Sequence, residues 1–281
     1  MKHLKLSFVS LVTFCGMTSI AQTSNSTAPT TTTTVAVAPA SEAPANTNTA
    51  SVGAAPAARP YSISYFNYIN GPALKEAANG MSINHYLTAK YKFQSKWATS
   101  FTLRPDTNHE NGEEKSTVMA DPYLRIEYPT LYETQDGLKV TGNFNYFVPS
   151  SDASKEKKSN GSMTARFVVA KDIAKWSLSY LLIPRLYMWK EKEDGQTLTS
   201  QVHYFSASYN LSDMVSLDLG VAPEWRQKRN AKTAFNDLPA YPGATVNFTK
   251  ELSVSPYFEV PLLKAEQKNS SVGASVSYKL L

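Results

Sequence analysis

The chain has 281 residues, of which 42% are hydrophobic, 18% charged and 11% aromatic, and its formal net charge is +5. Beyond the N-terminus no apolar run approaches the roughly 18 residues that a transmembrane helix needs, which excludes a bundle of membrane-spanning helices. The small positive charge, part of it from Lys2 and Lys5, gives no general affinity for nucleic acid.

Lys2 and Lys5 precede an apolar stretch over 6–14, and Ser19, Ile20 and Ala21 then place small residues at the minus-three and minus-one positions of a cleavage site before Gln22. This predicts a secretory signal peptide over 1–21, and with it export. Cys15 is the only cysteine and falls inside that signal, so the exported chain has no thiol for catalysis, metal binding or disulfide formation. A lipid anchor at Cys15 is disfavoured because Phe14 stands where a small residue is expected. From 22 to 60 the chain is almost entirely Thr, Ala, Ser, Pro, Asn and Val, a composition that cannot bury enough apolar surface to offset its ordering entropy. It reads as a disordered tether, either crossing the cell-wall layer or merely tolerated there. Every Tyr and Trp lies beyond residue 60, so the folded part is 61–281.

Within 61–281 apolar and polar residues alternate, the mark of strands with one dry and one wet face. Near the C-terminus Leu252, Val254, Pro256, Phe258, Val260 and Leu262 alternate with Ser253, Ser255, Tyr257, Glu259 and Pro261. Twelve such segments are predicted: 61–69, 81–92, 96–105, 118–129, 138–148, 162–171, 175–189, 197–210, 214–224, 240–249, 252–262 and 270–280. Connections after odd segments are long and polar, whereas those after even segments are tight, with 130–137 the longest. That asymmetry, with an even strand number and both termini on the short-turn side, is the signature of an outer-membrane barrel with short periplasmic turns and longer extracellular loops. Aromatic residues point the same way. Tyr91, Phe93, Trp97, Tyr128, Tyr132, Trp176, Tyr209 and Tyr278 collect near the short turns, and Tyr146, Phe147, Trp189 and Trp225 near the long loops, as interfacial girdles would. A soluble sandwich would spread these rings through its core and gives no reason for the alternating connections. Pro122, Pro184 and Pro256 fall inside predicted strands, where each removes a ladder hydrogen bond and predicts a bulge.

The chain therefore resembles the bacterial outer-membrane β-barrels, and in strand number the twelve-stranded porins such as the oligogalacturonate-specific and nucleoside-specific families. Ser271, Gly273, Val276 and Tyr278 resemble the C-terminal insertion signal read by the barrel assembly machinery, although Leu281 stands where a terminal Phe is common. No motif assigns one porin family. The resemblance implies an all-β, closed antiparallel barrel in the outer membrane of a Gram-negative bacterium, in contact with outer-membrane lipids and lipopolysaccharide.

If the apolar face meets lipid, Arg104, Arg125, Arg166 and Arg185 point into the lumen from one wall, and Asp218 and Glu259 from the other. The expectation is a transverse field at mid-height, where guanidinium donors select small polar, and above all anionic, solutes. The same charges could instead pair with one another and hold a plugged, structural barrel rigid. In the loops, Arg226, Lys228, Arg229 and Lys232 are candidates for contact with lipopolysaccharide phosphates or another surface, against the plainer reading of a solvated loop. His85 falls on the lipid-facing register, and His203 has Ser206 and Ser208 nearby but not the His and Ser two apart on one strand that a barrel phospholipase uses. The sequence thus predicts no enzyme, no catalytic residue, no metal and no cofactor.

Overall fold

The computed structural model describes residues 60–73, 81–109, 116–264 and 270–280. The predicted signal peptide with Cys15, and the predicted tether up to residue 59, lie outside the described residues, as does Leu281.

Residues Tyr61–Ala73 form β1, Met81–Lys92 β2, Ala98–His109 β3, Ser116–Glu133 β4 and Lys139–Phe147 β5. A one-turn helix α1, Asp152–Glu156, precedes β6 (Ser159–Ile173), β7 (Trp176–Trp189) and β8 (Thr197–Asn210). Then come β9 (Val215–Val221), β10 (Glu224–Lys228), β11 (Ala234–Asp237), β12 (Pro239–Asn247), β13 (Leu252–Pro261) and β14 (Ser271–Lys279). Every pairing is antiparallel between neighbours around one sheet, and β1 pairs with β14 to close it. β9 and β10 both pair with β8 and are halves of one strand interrupted at Ala222 and Pro223, while β11 and β12 are halves of the next, interrupted at Leu238. The fourteen ladder segments therefore make a closed barrel of twelve strands. Closure leaves no row of unpaired backbone groups at a sheet edge, which is the condition for a sheet in hydrocarbon.

The distribution of polarity is inverted relative to a water-soluble fold. Leu103, Leu124, Ile126, Phe144, Phe167, Leu217, Leu219 and Phe258 are exposed on the outer face, whereas Ser100, Thr102, Asn145, Thr164, Ser200 and Thr245 are buried inside. The strict period of two is what separates them, since successive side chains of a strand point to opposite faces. The interior is not wholly polar. Leu181, Tyr204 and Ala222 form a buried cluster, with Val168, Ile183, Val202 and Tyr241 packed against it, on the wall that includes β6, β7, β8 and β12.

The strands run further than their hydrophobic patterns, because once a ladder is started its backbone bonds carry it into polar sequence. β4 continues to Glu133 past a register shift between Tyr128 and Tyr132, which shortens the connection expected at 130–137 to a hydrogen-bonded turn in which Thr134 donates its N–H to Leu138. Gly137 takes φ +82° there, and Ala174 takes φ +53° in the tight link between β6 and β7. Much of the connection expected at 225–239 is likewise strand, β10 and β11. Of the three prolines, only Pro122 sits at a register shift, where Thr102 pairs with Tyr123 and Arg104 with Ala120. Pro184 and Pro256 are accommodated without one.

The girdle of rings at the short-turn end is present: Tyr91 and Phe93 lie 5.1 Å apart, Trp97 and Tyr128 5.0 Å, and Trp176 and Tyr209 4.9 Å, with Tyr91, Trp97 and Trp176 about half exposed. At the other end the expectation needs correction. Phe147 is buried inside the barrel against Tyr123, and Trp189 stacks on the inward Tyr187, while Tyr146, one residue from Phe147, faces outward. Adjacent residues of one strand cannot both face lipid.

Candidate functional site

The charged groups of the lumen are organised by the ladder itself. Following hydrogen-bonded partners from strand to strand, Lys90 of β2 leads to Ser100, then Arg125, Asn145, Thr164, Arg185, Ser200 and finally Arg226 of β10. All eight side chains face inward. Lys90 lies near the short-turn end of β2 and Arg226 near the long-connection end of β10, so the row climbs the wall as the strands tilt, as register stagger in a barrel requires. Four cations are thereby spaced along one rising path, with small hydroxyl and amide side chains between them.

The ends of the path are neutralised. Lys90 forms an ion pair with Glu127, and Arg226 is held by the buried Glu224 through Nε to Oε1 at 2.7 Å and Nη2 to Oε2 at 2.9 Å, with Asn236 Nδ2 also donating to Oε2 at 3.0 Å. Arg226 is therefore a wall residue and not one of the loop, contrary to the sequence expectation, because β10 carries the alternation three residues beyond Trp225. Lys228 and Lys232 are exposed at and beyond the end of that strand, and Arg229 directs Nε to Gln196 Oε1 at 3.4 Å. Lys158, in the connection before β6, has its pKa raised by the carboxylate of Glu191, with Glu193 adding to it.

The middle of the path is aromatic. Arg125 donates from Nε to Asn145 Oδ1 at 2.8 Å and from Nη2 to Tyr123 Oη at 3.2 Å, with its guanidinium 5.2 Å from the Tyr123 ring centre. Arg104 lies over Tyr86 and Phe147, at 5.2 and 5.8 Å, and its Nη1 donates to the Asp121 carbonyl at 3.5 Å. Arg185 also lies over the Phe147 ring, 4.7 Å from its centre, and 5.7 Å from that of Tyr187. Arg166 is buried one row below Arg125 and Arg185, level with Asn143 and Glu127. The rings Tyr86, Tyr123 and Tyr187 carry no signal of their own in the sequence, because inward aromatics follow the same alternation as inward polar residues, while Phe147, expected in the outer girdle, turns inward with them.

The two acids lie on other strands, Asp218 on β9 and Glu259 on β13. Asp218 is near the short-turn end of β9, where it accepts from Ser216 Oγ at 3.1 Å and Thr245 Oγ1 at 2.7 Å. Glu259, in register with Ser271, is farther along β13 toward the long-connection end. Of the two acids expected opposite Arg125, Arg166 and Arg185, Asp218 sits nearer the short turns, whereas Glu259 lies seven residues along β13 from its short-turn end, as Arg166 does along β6. His203 is on the outer face, with Nδ1 2.7 Å from Tyr180 Oη and its ring against Trp225, whereas Ser206 is on the inner face and bonds to Ser179. His85 is also outward, 2.5 Å from Tyr65 Oη. Among the described residues no cluster of three or more His, Cys, Asp or Glu could hold a metal ion.

No family model matches the chain, and no curated protein sequence matches it. Its fold is similar to that of an outer membrane channel from Pseudomonas putida F1, with a TM-score of 0.53 at 10% identity over 78% of this chain and 94% of the other. The translocator domain of the autotransporter NalP from Neisseria meningitidis aligns with a TM-score of 0.43 at 14% identity, over 78% and 87% of the two chains. The fold is that of the outer-membrane β-barrels: closed, antiparallel and twelve-stranded.

Proposed function

We propose that this protein is an outer-membrane channel for passive diffusion of small polar solutes, with a preference for anions. The observation that carries the reading is the single rising row that turns Lys90, Arg125, Arg185 and Arg226 into the lumen with Ser, Asn and Thr between them. Such a row offers an anion partial sites at Arg125 and Arg185, between ends where Lys90 and Arg226 are paired with Glu127 and Glu224. Arg104 and Arg166 add to the positive wall, while Asp218 and Glu259, away from that row, supply the opposing charge that orients dipolar solutes. Size exclusion comes from the inward rings Tyr68, Tyr86, Tyr123 and Tyr204, all buried. The exposed apolar belt supports residence in the outer membrane, after export and insertion by the barrel assembly machinery. Lys228, Arg229 and Lys232 are then candidates for the phosphates of lipopolysaccharide, and no catalytic role is assigned to any residue.

The test is single-channel conductance and reversal potential of the folded protein in a planar bilayer under a salt gradient, before and after Arg125 and Arg185 are replaced by Ala. Discrete steps with an anion preference that falls in the variants are expected. A second reading is favoured by one observation, the Leu181, Tyr204 and Ala222 cluster inside the wall: a closed structural or surface-recognition barrel acting through its long connections. Folded, inserted protein that never conducts would overturn the channel and support that reading.

A further inference from the structure

Arg185 differs from the other cations of the rising row. Lys90 and Arg226 have carboxylates, and Arg125 has an amide and a phenol. Among the described residues Arg185 has no hydrogen-bond acceptor on its N–H groups and no carboxylate within ion-pair reach; what it has is two aromatic rings, Phe147 at 4.7 Å and Tyr187 at 5.7 Å. The ladder explains how this is possible. Phe147, Ser162 and Tyr187 form one row across β5, β6 and β7, and Thr164 stands beside Arg185 in the next. Small side chains on β6 leave the space through which Arg185 reaches over that strand to Phe147.

Rings engage a guanidinium by its face, through the negative potential above the π system, and leave its in-plane N–H donors unused. Those donors form the planar fork that matches a carboxylate with two parallel bonds. Phe147 also carries the Arg104 guanidinium at 5.8 Å, so positive charge flanks the same ring twice. Toward the long-connection end Tyr187 stacks on Trp189, with ring centres 6.3 Å apart and planes inclined by 15°, and Trp189 is fixed by donating Nε1 to the Thr197 carbonyl at 2.8 Å. Tyr187, Trp189 and Arg185 are each half-buried, partly open to the lumen.

From this we infer that Arg185, with Phe147, Tyr187 and Trp189, is a binding subsite on the path for solutes that combine a carboxylate with a flat ring. The carboxylate takes the in-plane donors of Arg185 and the ring lies against Tyr187 and Trp189. The inference rests on the proposed channel only for the access of solute to the lumen.

The experiment is isothermal titration calorimetry on the full chain folded in detergent micelles, with three probes: benzoate, acetate, which has the carboxylate without the ring, and benzyl alcohol, which has the ring without the carboxylate. Benzoate is expected to bind at least about tenfold tighter than either. Arg185→Lys, which keeps the charge but not the fork, is expected to lose about tenfold for benzoate, and Trp189→Leu about fivefold for benzoate with acetate unchanged. Equal affinity for the three probes, or wild-type benzoate affinity in folded Arg185→Lys, overturns the subsite. If a variant does not fold, the comparison among probes on the unaltered protein decides by itself. Conductance measured on the same preparation separates the two ideas: a conducting barrel indifferent to the ring leaves the channel standing without the subsite, and a silent barrel that prefers benzoate leaves the subsite without the channel.

Discussion

The ring of Tyr204 covers Gly220 on the neighbouring strand inside the barrel: a Cβ built at position 220 would stand 2.0 Å from the Tyr204 hydroxyl oxygen and 2.5 Å from Cζ. Tyr257 covers Gly273 in the same manner, with Cζ 2.4 Å from a Cβ built there. A glycine in a strand leaves backbone uncovered, and a ring from the adjacent strand restores the lost contact. The lumenal aromatics are therefore part of the wall before they are part of any filter. Gly220→Ala should lower the free energy of unfolding by about 1–3 kcal/mol, because the ring must leave its place in the cluster with Leu181. Combining it with Tyr204→Ala should cost less than the sum of the two single changes, since the clash is relieved by the second. Equilibrium urea unfolding from lipid vesicles, followed by tryptophan fluorescence, checks both statements.

The Lys90 and Glu127 side chains are about one-quarter and one-fifth exposed, so they are partly withdrawn from water. Glu127→Gln leaves an ammonium among Arg125 and the polar wall and should destabilise the barrel by about 1–3 kcal/mol. The paired change Lys90→Met with Glu127→Leu should be much closer to neutral, because no isolated charge remains. The same unfolding assay distinguishes them, and a Glu127→Gln protein as stable as the double variant would count against a desolvated pair.

Asp121 fastens the connection between β5 and β6. Its Oδ1 accepts the backbone N–H of Ser150 at 3.0 Å and of Ser151 at 2.8 Å, and its Oδ2 accepts the Ser154 hydroxyl at the start of α1. Charge-assisted bonds of this kind are worth about 1.5–3 kcal/mol each when intact. Asp121→Ala should speed tryptic cleavage at Lys155, Lys157 and Lys158 by at least about tenfold while the barrel stays folded, as judged by unchanged cleavage elsewhere. Asp121→Asn should fall between, since an amide oxygen still accepts but without charge.

In the turn between β4 and β5, Lys171 binds the Asp136 carboxylate and Thr134 donates to it, and these contacts hold its pKa down to about 2. A carboxyl with a folded pKa below its unfolded value of 3.8 contributes stability above that value and loses it as pH falls through about 2. The wild-type advantage over Asp136→Asn should therefore be constant at neutral pH, shrink between about pH 4 and pH 2, and vanish below. Because the side chain is exposed, salt should reduce the advantage at every pH. Unfolding midpoints across that range, at low and high salt, test it.

Period-two alternation determined the architecture by itself. Twelve hydrophobic stripes, such as Leu217 and Leu219 against Ser216 and Asp218, call for sheets with one face away from water, and the alternation of long and short connections points to an up-and-down barrel, which the pairing of β1 with β14 closes. The inward direction of Arg104, Arg125, Arg166 and Arg185 follows from the same parity. Parity, however, says only which face a residue occupies. It does not say how far each strand slides against the next, and that stagger is what puts Arg125, Arg185 and Arg226 in one row, seats Asp218 near a turn, and brings Phe147 across Ser162 to meet Arg185. Stagger is set by cooperative pairing around the closed ring, in which each ladder's offset is fixed by every other, so no window of sequence contains it. For the same reason Arg226 read as a loop residue: the polar stretch after Trp225 carries no hydrophobic period, and it becomes strand only because β8 and β11 stand on either side to receive its backbone hydrogen bonds.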